Sequence, residues 1–290
     1  MTILVTGGRG KTATRLGALL DKNKNPFIVA TTSTSPIGQY NTVNFDWLKP
    51  KTWKNAFDLT VSGGLEPVSA VYLVGAHSAE FVKPMLEFID FAHSKGVNRF
   101  VLLSASNTEK GDPMMGEAHA HLDSIADVQY VVLRPTWFME SHLEDPHLSW
   151  IKDENKIYSA TGQGKIPFIS VDDIARVAYS ALTNWRTGKA QEYLVLGPDL
   201  LSYGQVAEIL SELLGRQIIH VSLDAQEMVK ILVGVTGFPP EFASMLASME
   251  TAVAAGSEER HSQDVERVTG VVPQSFVNFA RENRSHWISN

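Results

Sequence analysis

An α/β fold, with a doubly wound parallel sheet and a smaller, mainly helical C-terminal lobe, is predicted by three observations on this 290-residue chain. Through the first half, short β-rich runs that are apolar on both faces alternate with helical patterns, as strands covered by helices on both sides do. A glycine-rich turn, "TGGRGKT" (6–12), joins the first run to the first helical pattern. After Pro135 the alternation breaks, and from residue 202 onward the pattern is mostly helical.

The strands are "TILV" (2–5), "FIVATT" (27–32), "TVNF" (42–45), "AVYLVG" (70–75), "FVLLSAS" (100–106) and "YVVLRP" (130–135). Helical stretches fill 12–22, 82–96 and 114–126. In the second of these, Met85, Leu86, Phe88 and Ile89 recur at helical spacing and Gly96 supplies the stop. A loop rich in Trp, His and acids (136–156) then leads to "IYSAT" and "IPFISV". The run "VDDIARVAYSAL" starts a helix with Asp172 or Asp173 placed to cap it. "YLVLG" (193–197) reads as a seventh strand, and helical stretches follow at 202–215, 224–255 and 274–284. The domains expected are a dinucleotide-binding core over 1–155 and a substrate lobe over 156–290. The lobe shares the strand near 193–197 and a helix with the core.

Composition narrows the function. Apolar residues at 44% and charged residues at 20% describe an ordinary globular protein. A net charge of −7 with no clustered Lys and Arg argues against nucleic acid as partner. Cysteine is absent, which removes disulfides, thiolate metal sites and a Cys nucleophile together. No basic leader precedes the first strand and no run is long enough to cross a membrane, so a cytoplasmic enzyme or binding protein is expected. His119 and His121, two apart on a helix, face different sides and make no metal pair; no metal is expected.

The opening turn carries two phosphate-binding signatures. A P-loop ending in Gly10-Lys11-Thr12 needs a glycine five positions before Gly10, and that position is Val5, inside the strand. The loop is too short for a P-loop, which disfavours that reading. Gly7, Gly10 and Ala13 instead form Gly-x-x-Gly-x-x-Ala at a strand-to-helix junction, the arrangement of a Rossmann-type dinucleotide site. Gly7 allows the tight turn, Gly10 lets the backbone approach a pyrophosphate, and Ala13 permits close helix packing. Gly8, Arg9, Lys11 and Thr12 complete the loop, whose N–H groups and helix dipole hold the anion. At the end of the second strand an acid would bond the ribose hydroxyl of NAD, yet no acid stands between Pro26 and Tyr40. Thr31, Thr32 and Ser33 can donate to a 2′-phosphate, and Arg9 adds a planar fork of donors, so the cofactor expected is NADPH. Asp46 suits either the adenine amine or a helix cap. Gly75, Ala76 and His77 after the fourth strand, Ser104 after the fifth and Pro135 at the end of the sixth border the nicotinamide side, because ligands lie beyond the carboxyl ends of parallel strands.

A carbonyl-reducing short-chain dehydrogenase supplies its proton from a Tyr-x-x-x-Lys pair. None occurs after Ser104: Tyr130 falls on the next strand and Lys110 in the loop. "TGGRGKT", "LLSAS", "LRPTWFMES" (133–141) and "IYSATGQGKIPFISVDDIARVA" (157–178) resemble NmrA-like atypical short-chain dehydrogenases, and more narrowly the fungal festuclavine and agroclavine dehydrogenases of ergot alkaloid biosynthesis. That resemblance implies a Rossmann core, a cytosolic location and NADPH-dependent reduction of a cyclic iminium made from chanoclavine-I aldehyde. Many NmrA-like reductases carry a Lys on the helix after strand five; counting back from Arg134-Pro135, that slot falls at about Glu117. An acid there suits a cationic acceptor, which takes hydride on carbon without a proton donor and is favoured by nearby anions and aromatic faces.

Glu117 and Ser104 are the catalytic candidates. Glu140 is the alternative anion, and Trp137, Phe138, Trp150, Tyr158 and Phe168 are the candidate walls for an indole substrate. "GKIPF" (164–168) suits a loop closing over the cofactor or a plain hairpin turn. Two further readings stand beside this one: a non-catalytic dinucleotide-sensing regulator, and a reductase of another electrophile such as an enone or quinone. An upstream pathway enzyme is a possible partner.

Overall fold

The computed structural model describes residues 1–33, 35, 37–76, 79–184 and 190–288. The chain divides into two compact units, each discontinuous in sequence: Met1–Pro135, Val171–Val195 and Asp264–Gly270 form the first, and Thr136–Ser170, Leu196–Gln263 and Val271–Asn290 the second. The backbone passes from one to the other after residues 135, 170, 195, 263 and 270.

In chain order the first unit opens with β1 (Thr2–Val5), α1 (Lys11–Lys22), β2 (Phe27–Thr31), β3 (Thr42–Asn44) and α2 (Asn55–Ser62). It continues with β4 (Val68–Leu73), α3 (Val82–Ser94), β5 (Arg99–Leu103), α4 (Met115–Ser124) and β6 (Gln129–Pro135). The single turn α5 (His147–Ser149) and β7 (Lys156–Ser159) belong to the second unit, after which α6 (Val171–Thr183) and β8 (Ala190–Val195) return to the first. Then α7 (Tyr203–Leu214), β9 (Ile219–Ser222), α8 (Ala225–Thr236), α9 (Pro240–Ala254) and α11 (Phe276–Glu282) build the second, with α10 (Asp264–Thr269) in the first.

The first unit is a seven-stranded sheet in the order β3-β2-β1-β4-β5-β6-β8, parallel at every pairing. All four residues of β1 and all five of β2 are buried, as strands sandwiched between helices require. The helix α3 turns Met85, Phe88, Ile89 and Ala92 inward, with Leu86 at the margin. Phe88 meets Phe45, Trp47 and Trp53 edge-on at 5.0, 5.4 and 5.7 Å, the geometry that aromatic quadrupoles favour. The seventh strand read from "YLVLG" is present as β8, beside β6.

Two local readings are corrected. Asp172 and Asp173 do not cap α6, because the helix already begins at Val171 and both lie in its first turn. There they complement the positive helix end: Asp172 pairs with Arg15 at 2.9 Å, and the fully buried Asp173 pairs with Arg176. The stretch 224–255 is two helices, since Gly237 ends α8 in a left-handed conformation and Pro239-Pro240 starts α9.

The second unit contains a small parallel sheet, β7 with β9, that the sequence reading lacked. Ile166 and Leu201 exchange backbone hydrogen bonds at 2.9 and 3.0 Å, so "GKIPF" pairs with a distant segment and makes no local hairpin. The helix α7 opens on a reciprocal cap, Gln205 N donating to Ser202 Oγ and Ser202 N to Gln205 Oε1. Ser202→Ala is expected to cost about 1 kcal/mol of stability, measured as a lowered urea midpoint; an unchanged midpoint would discount the cap. Among the described residues no helix is long and apolar enough to cross a membrane.

Candidate active site

Because every strand of the large sheet runs the same way, the segments at the ends of β1, β2, β3, β4, β5 and β6 share its carboxyl edge. The residues expected to hold a dinucleotide fall on these segments, and all belong to the first unit.

Gly7 takes φ +65°, the left-handed turn that glycine enters without strain. Gly8 donates to the Ala30 carbonyl at 3.0 Å, and a Cβ on it would sit 2.2 Å from Val29 Cγ1. The tightest approach is thus at Gly8, which seats the turn on β2. Gly10 precedes α1 without any side-chain cap, and the first turn of the helix holds Lys11 and the buried Thr12 but no acid. Ala13 is buried beneath. An uncapped helix start of this kind favours an anion, so these residues fit a pyrophosphate.

Beyond β2, Thr31 Oγ1 accepts from Ser33 N at 3.2 Å and Ser33 Oγ from Ser35 N at 3.2 Å. Each hydroxyl therefore orders the turn and keeps its own hydrogen to donate. Thr32 is exposed, its carbonyl accepting from Asn44. Arg9 Nη2 donates to the Ser35 carbonyl at 2.9 Å, which brings a guanidinium to this same turn. Asp46 is engaged locally: it accepts from Leu48 N and pairs with Lys49 at 2.9 Å, and that lysine holds its carboxyl below the usual range. Asp46 caps no helix, since the helical turn at Pro50–Thr52 starts from Lys49 without a side-chain cap; a carboxylate has lone pairs for further donors.

On the far side of β1, Val74 N donates to Thr6 Oγ1, which donates in turn to the Tyr72 carbonyl. Gly75 follows against Phe81 and Met115, and Ala76 is exposed; His77 lies outside the described residues. Ser104 is half-buried with its N–H on Leu133, and Ser106 donates to the Pro135 carbonyl. This loop is pinned by a group that sequence reading missed. The buried Arg134 bonds both oxygens of Glu109, one oxygen of Glu192 and the Ser106 carbonyl. The signal available was an arginine in a strand otherwise apolar.

Neither component of a Tyr–Lys pair is available after β5. Tyr130 is buried with its hydroxyl on Asp123 at 2.8 Å, and burial followed by that carboxylate pushes its phenol far up. Lys110 is held by the same Asp123 at 3.0 Å. Glu117 is exposed at the third position of α4, where Oε1 accepts from Met114 N at 3.1 Å. The carboxylate seen there is a helix cap.

The candidate aromatic residues lie in the second unit. Tyr158 meets Trp150 at 5.1 Å, Trp150 meets His147 at 5.3 Å, His147 stacks on Tyr203 at 6.0 Å, and Tyr203 meets Phe168 at 5.5 Å. Three of the five predicted wall residues are thus joined in one aromatic chain. Phe168 is its core end, fully buried against Phe276 and His142. Trp137 packs partly buried on that same cluster, Phe138 bridges Ile169 through its backbone, and Glu140 is half-buried. The linking residues His142, His147 and Tyr203 were missed. Burial pushes His142 down to about 4 and His147 to about 3, so both are neutral rings at neutral pH.

No family model matches the chain. It is 60% identical over 288 residues to festuclavine dehydrogenase of Aspergillus fumigatus, covering 99% of each chain. It is 47% identical over 290 residues to agroclavine dehydrogenase of Claviceps fusiformis, again covering 99% of each. Among solved structures, the Citrobacter triphenylmethane reductase complexed with NADP(H) superposes with a TM-score of 0.79 at 16% identity, over 98% of this chain and 99% of that one.

Proposed function

The chain belongs to the festuclavine and agroclavine dehydrogenase family, and from that premise we propose that it is an oxidoreductase that uses NADPH to reduce a cyclic iminium derived from chanoclavine-I aldehyde, giving a tetracyclic clavine such as festuclavine or agroclavine. The observation that carries the reading is that the tyrosine and the lysine that follow the fifth strand in the chain are both tied to Asp123, so they form no Tyr–Lys pair to protonate a carbonyl oxygen. A ketone needs a proton on oxygen as hydride arrives, whereas an iminium carries its charge already and needs none. Bound NADPH supplies the hydride. The chain's own residues orient the reactants: the Gly7–Thr12 turn holds the pyrophosphate, and the Arg134 network fixes the loop bearing Ser104 beside the nicotinamide end.

The preference for NADPH rests on the turn after β2, which offers hydroxyls and Arg9 but no carboxylate. Arg9→Ala is expected to raise the KM for NADPH about tenfold, the worth of one charge-assisted contact, and to leave NADH unaffected. Equal changes for both cofactors would show that Arg9 does not read the 2′-phosphate.

The decisive assay supplies NADPH and chanoclavine-I aldehyde, with a thiol or the partner enzyme that promotes cyclisation, and follows loss of the nicotinamide absorbance. Turnover to a clavine is expected. Bound cofactor with no oxidation across iminium substrates would overturn the reading and favour a dinucleotide-sensing regulator.

A further inference from the structure

Within the first unit, the loop between β5 and α4 enters its helix through a conformation that side chains avoid. Met114 has φ +65° and ψ −110°, the mirror image of the extended region, which glycine reaches freely and an L residue reaches only at a cost. Such a cost persists where the surroundings over-determine the backbone, and here they do. Met114 N donates to Glu117 Oε1 at 3.1 Å, and Glu117 N donates back to the Met114 carbonyl at 3.2 Å. Just upstream, Gly111 N donates to the Gly116 carbonyl at 2.9 Å, and Glu109 N to Asp112 Oδ2 at 2.7 Å. A Cβ on Gly116 would lie 2.4 Å from the Glu109 carbonyl, so the loop closes tightly on itself. Glu109 is in turn the residue that Arg134 ties to β6.

The strained turn delivers Met115 to the end of β4. A Cβ on Gly75 would sit 2.4 Å from Met115 Cε and 2.5 Å from Phe81 Cζ, so these two side chains close over the backbone of Gly75. Met115 is half-buried there, on the core that includes Phe81. The strand β4 lies between β1 and β5 in the sheet. A dinucleotide with its phosphates on the turn after β1 extends its second half across the ends of β4 and β5, which puts the apolar surface of Met115 on the nicotinamide side. A thioether side chain suits that place, being unbranched, polarisable and favourable against an aromatic ring. Glu117 stands behind this arrangement, exposed and with Oε1 engaged by the turn that it braces.

We propose that Glu117 is a positioning residue for the cofactor: through Met114 it sets Met115 against Gly75, and Met115 is the apolar support of the nicotinamide end. The carboxylate then acts through the backbone and does not touch the substrate. This role rests on the dinucleotide site proposed above, but not on the identity of the hydride acceptor.

The test titrates two probes into the full chain by calorimetry: NADPH, and 2′,5′-ADP, which carries the 2′-phosphate and a 5′-phosphate but no nicotinamide. Glu117→Ala is expected to weaken NADPH about fivefold, the worth of one helix cap, and to leave 2′,5′-ADP unchanged. Glu117→Gln keeps an acceptor oxygen for Met114 N and should recover most of the lost affinity. Adding Met114→Gly to Glu117→Ala should recover it as well, because glycine holds this conformation without help. Met115→Ala leaves the cap in place and should weaken NADPH selectively, a readout that does not depend on the Glu117 variants folding. Loss of both probes alike, or of neither, in Glu117→Ala would overturn the proposal. So would a Gln variant that binds NADPH as weakly as the Ala one, or undiminished NADPH affinity in Met115→Ala. Selective weakening of NADPH in a chain that turns over no iminium would sink the reductase reading and leave the positioning role; clavine formation by a native chain whose NADPH affinity is indifferent to Glu117 would do the reverse.

Discussion

Gly8→Ala should abolish useful cofactor binding, weakening NADPH by about a hundredfold or more. The added methyl would lie 2.2 Å from Val29 Cγ1 and 3.1 Å from the Ala30 carbonyl, so the turn must lift off β2 and lose the bond from Gly8 N to Ala30. A displacement of about 1 Å at a positioning element costs roughly two orders of magnitude. Since the obstacle is a side chain, the effect should be reversible in a defined way: adding Val29→Ala clears the methyl, and the double variant should regain part of the affinity. Isothermal titration of the four proteins decides the matter. Undiminished binding by Gly8→Ala would show that the turn does not hold the cofactor, and a double variant no better than the single would show that the clash is not with Val29.

Glu250→Gln should stabilise the protein at alkaline pH and much less under acidic conditions. The native carboxyl lies at about 7 against an ordinary 4.5 because burial disfavours the charge. Below the ordinary value both folded and unfolded chains hold the proton, and the residue carries no penalty. As pH rises the unfolded chain ionises first, so native stability falls, and the loss is complete once pH exceeds the folded value. At 1.36 kcal/mol per pH unit that penalty is about 3 kcal/mol. Glutamine cannot ionise and escapes it, while any pH-independent cost of its amide cancels between conditions. Denaturant titrations at pH 4.5 and pH 8.5 should therefore show the difference between variant and native chain growing by about 3 kcal/mol, on the order of 5–10 °C in melting temperature. A difference that stays constant with pH would mean that Glu250 ionises normally in the folded protein.

How much of this was legible in sequence depended on the range of the signal. The sheet announces itself locally: "TILV", "FIVAT" and "YVVLRP" are apolar on both faces, and each is followed by turn and helix residues that fix a parallel order. The glycine-rich turn after β1 is equally local, although Gly8, the residue in closest contact with β2, is not one of the three positions that define the pattern. The β7–β9 pair was invisible because its strands, Lys156–Ser159 and Ile219–Ser222, are only four residues each and far apart in the chain. Glu250 and His147 illustrate a second blind spot. In "LASMETAVA" an acid reads as a solvated helix residue, and in "EDPHLSW" a histidine reads as loop; burial of both is decided by partners elsewhere in the chain. The reverse occurred at Glu117, where the count from Arg134-Pro135 singled out a residue whose visible contact is a helix cap.

The five crossings of the backbone between the two units set a rule for anyone who would dissect this molecule. A fragment ending at Pro135 would leave out α6 and β8, baring the ladder edge of β6 that β8 covers in the intact chain, and an uncovered edge of that sort recruits other molecules into aggregates. Grafting a relative's second unit therefore demands exchanging three separate stretches in concert, with every splice kept at a point of transit.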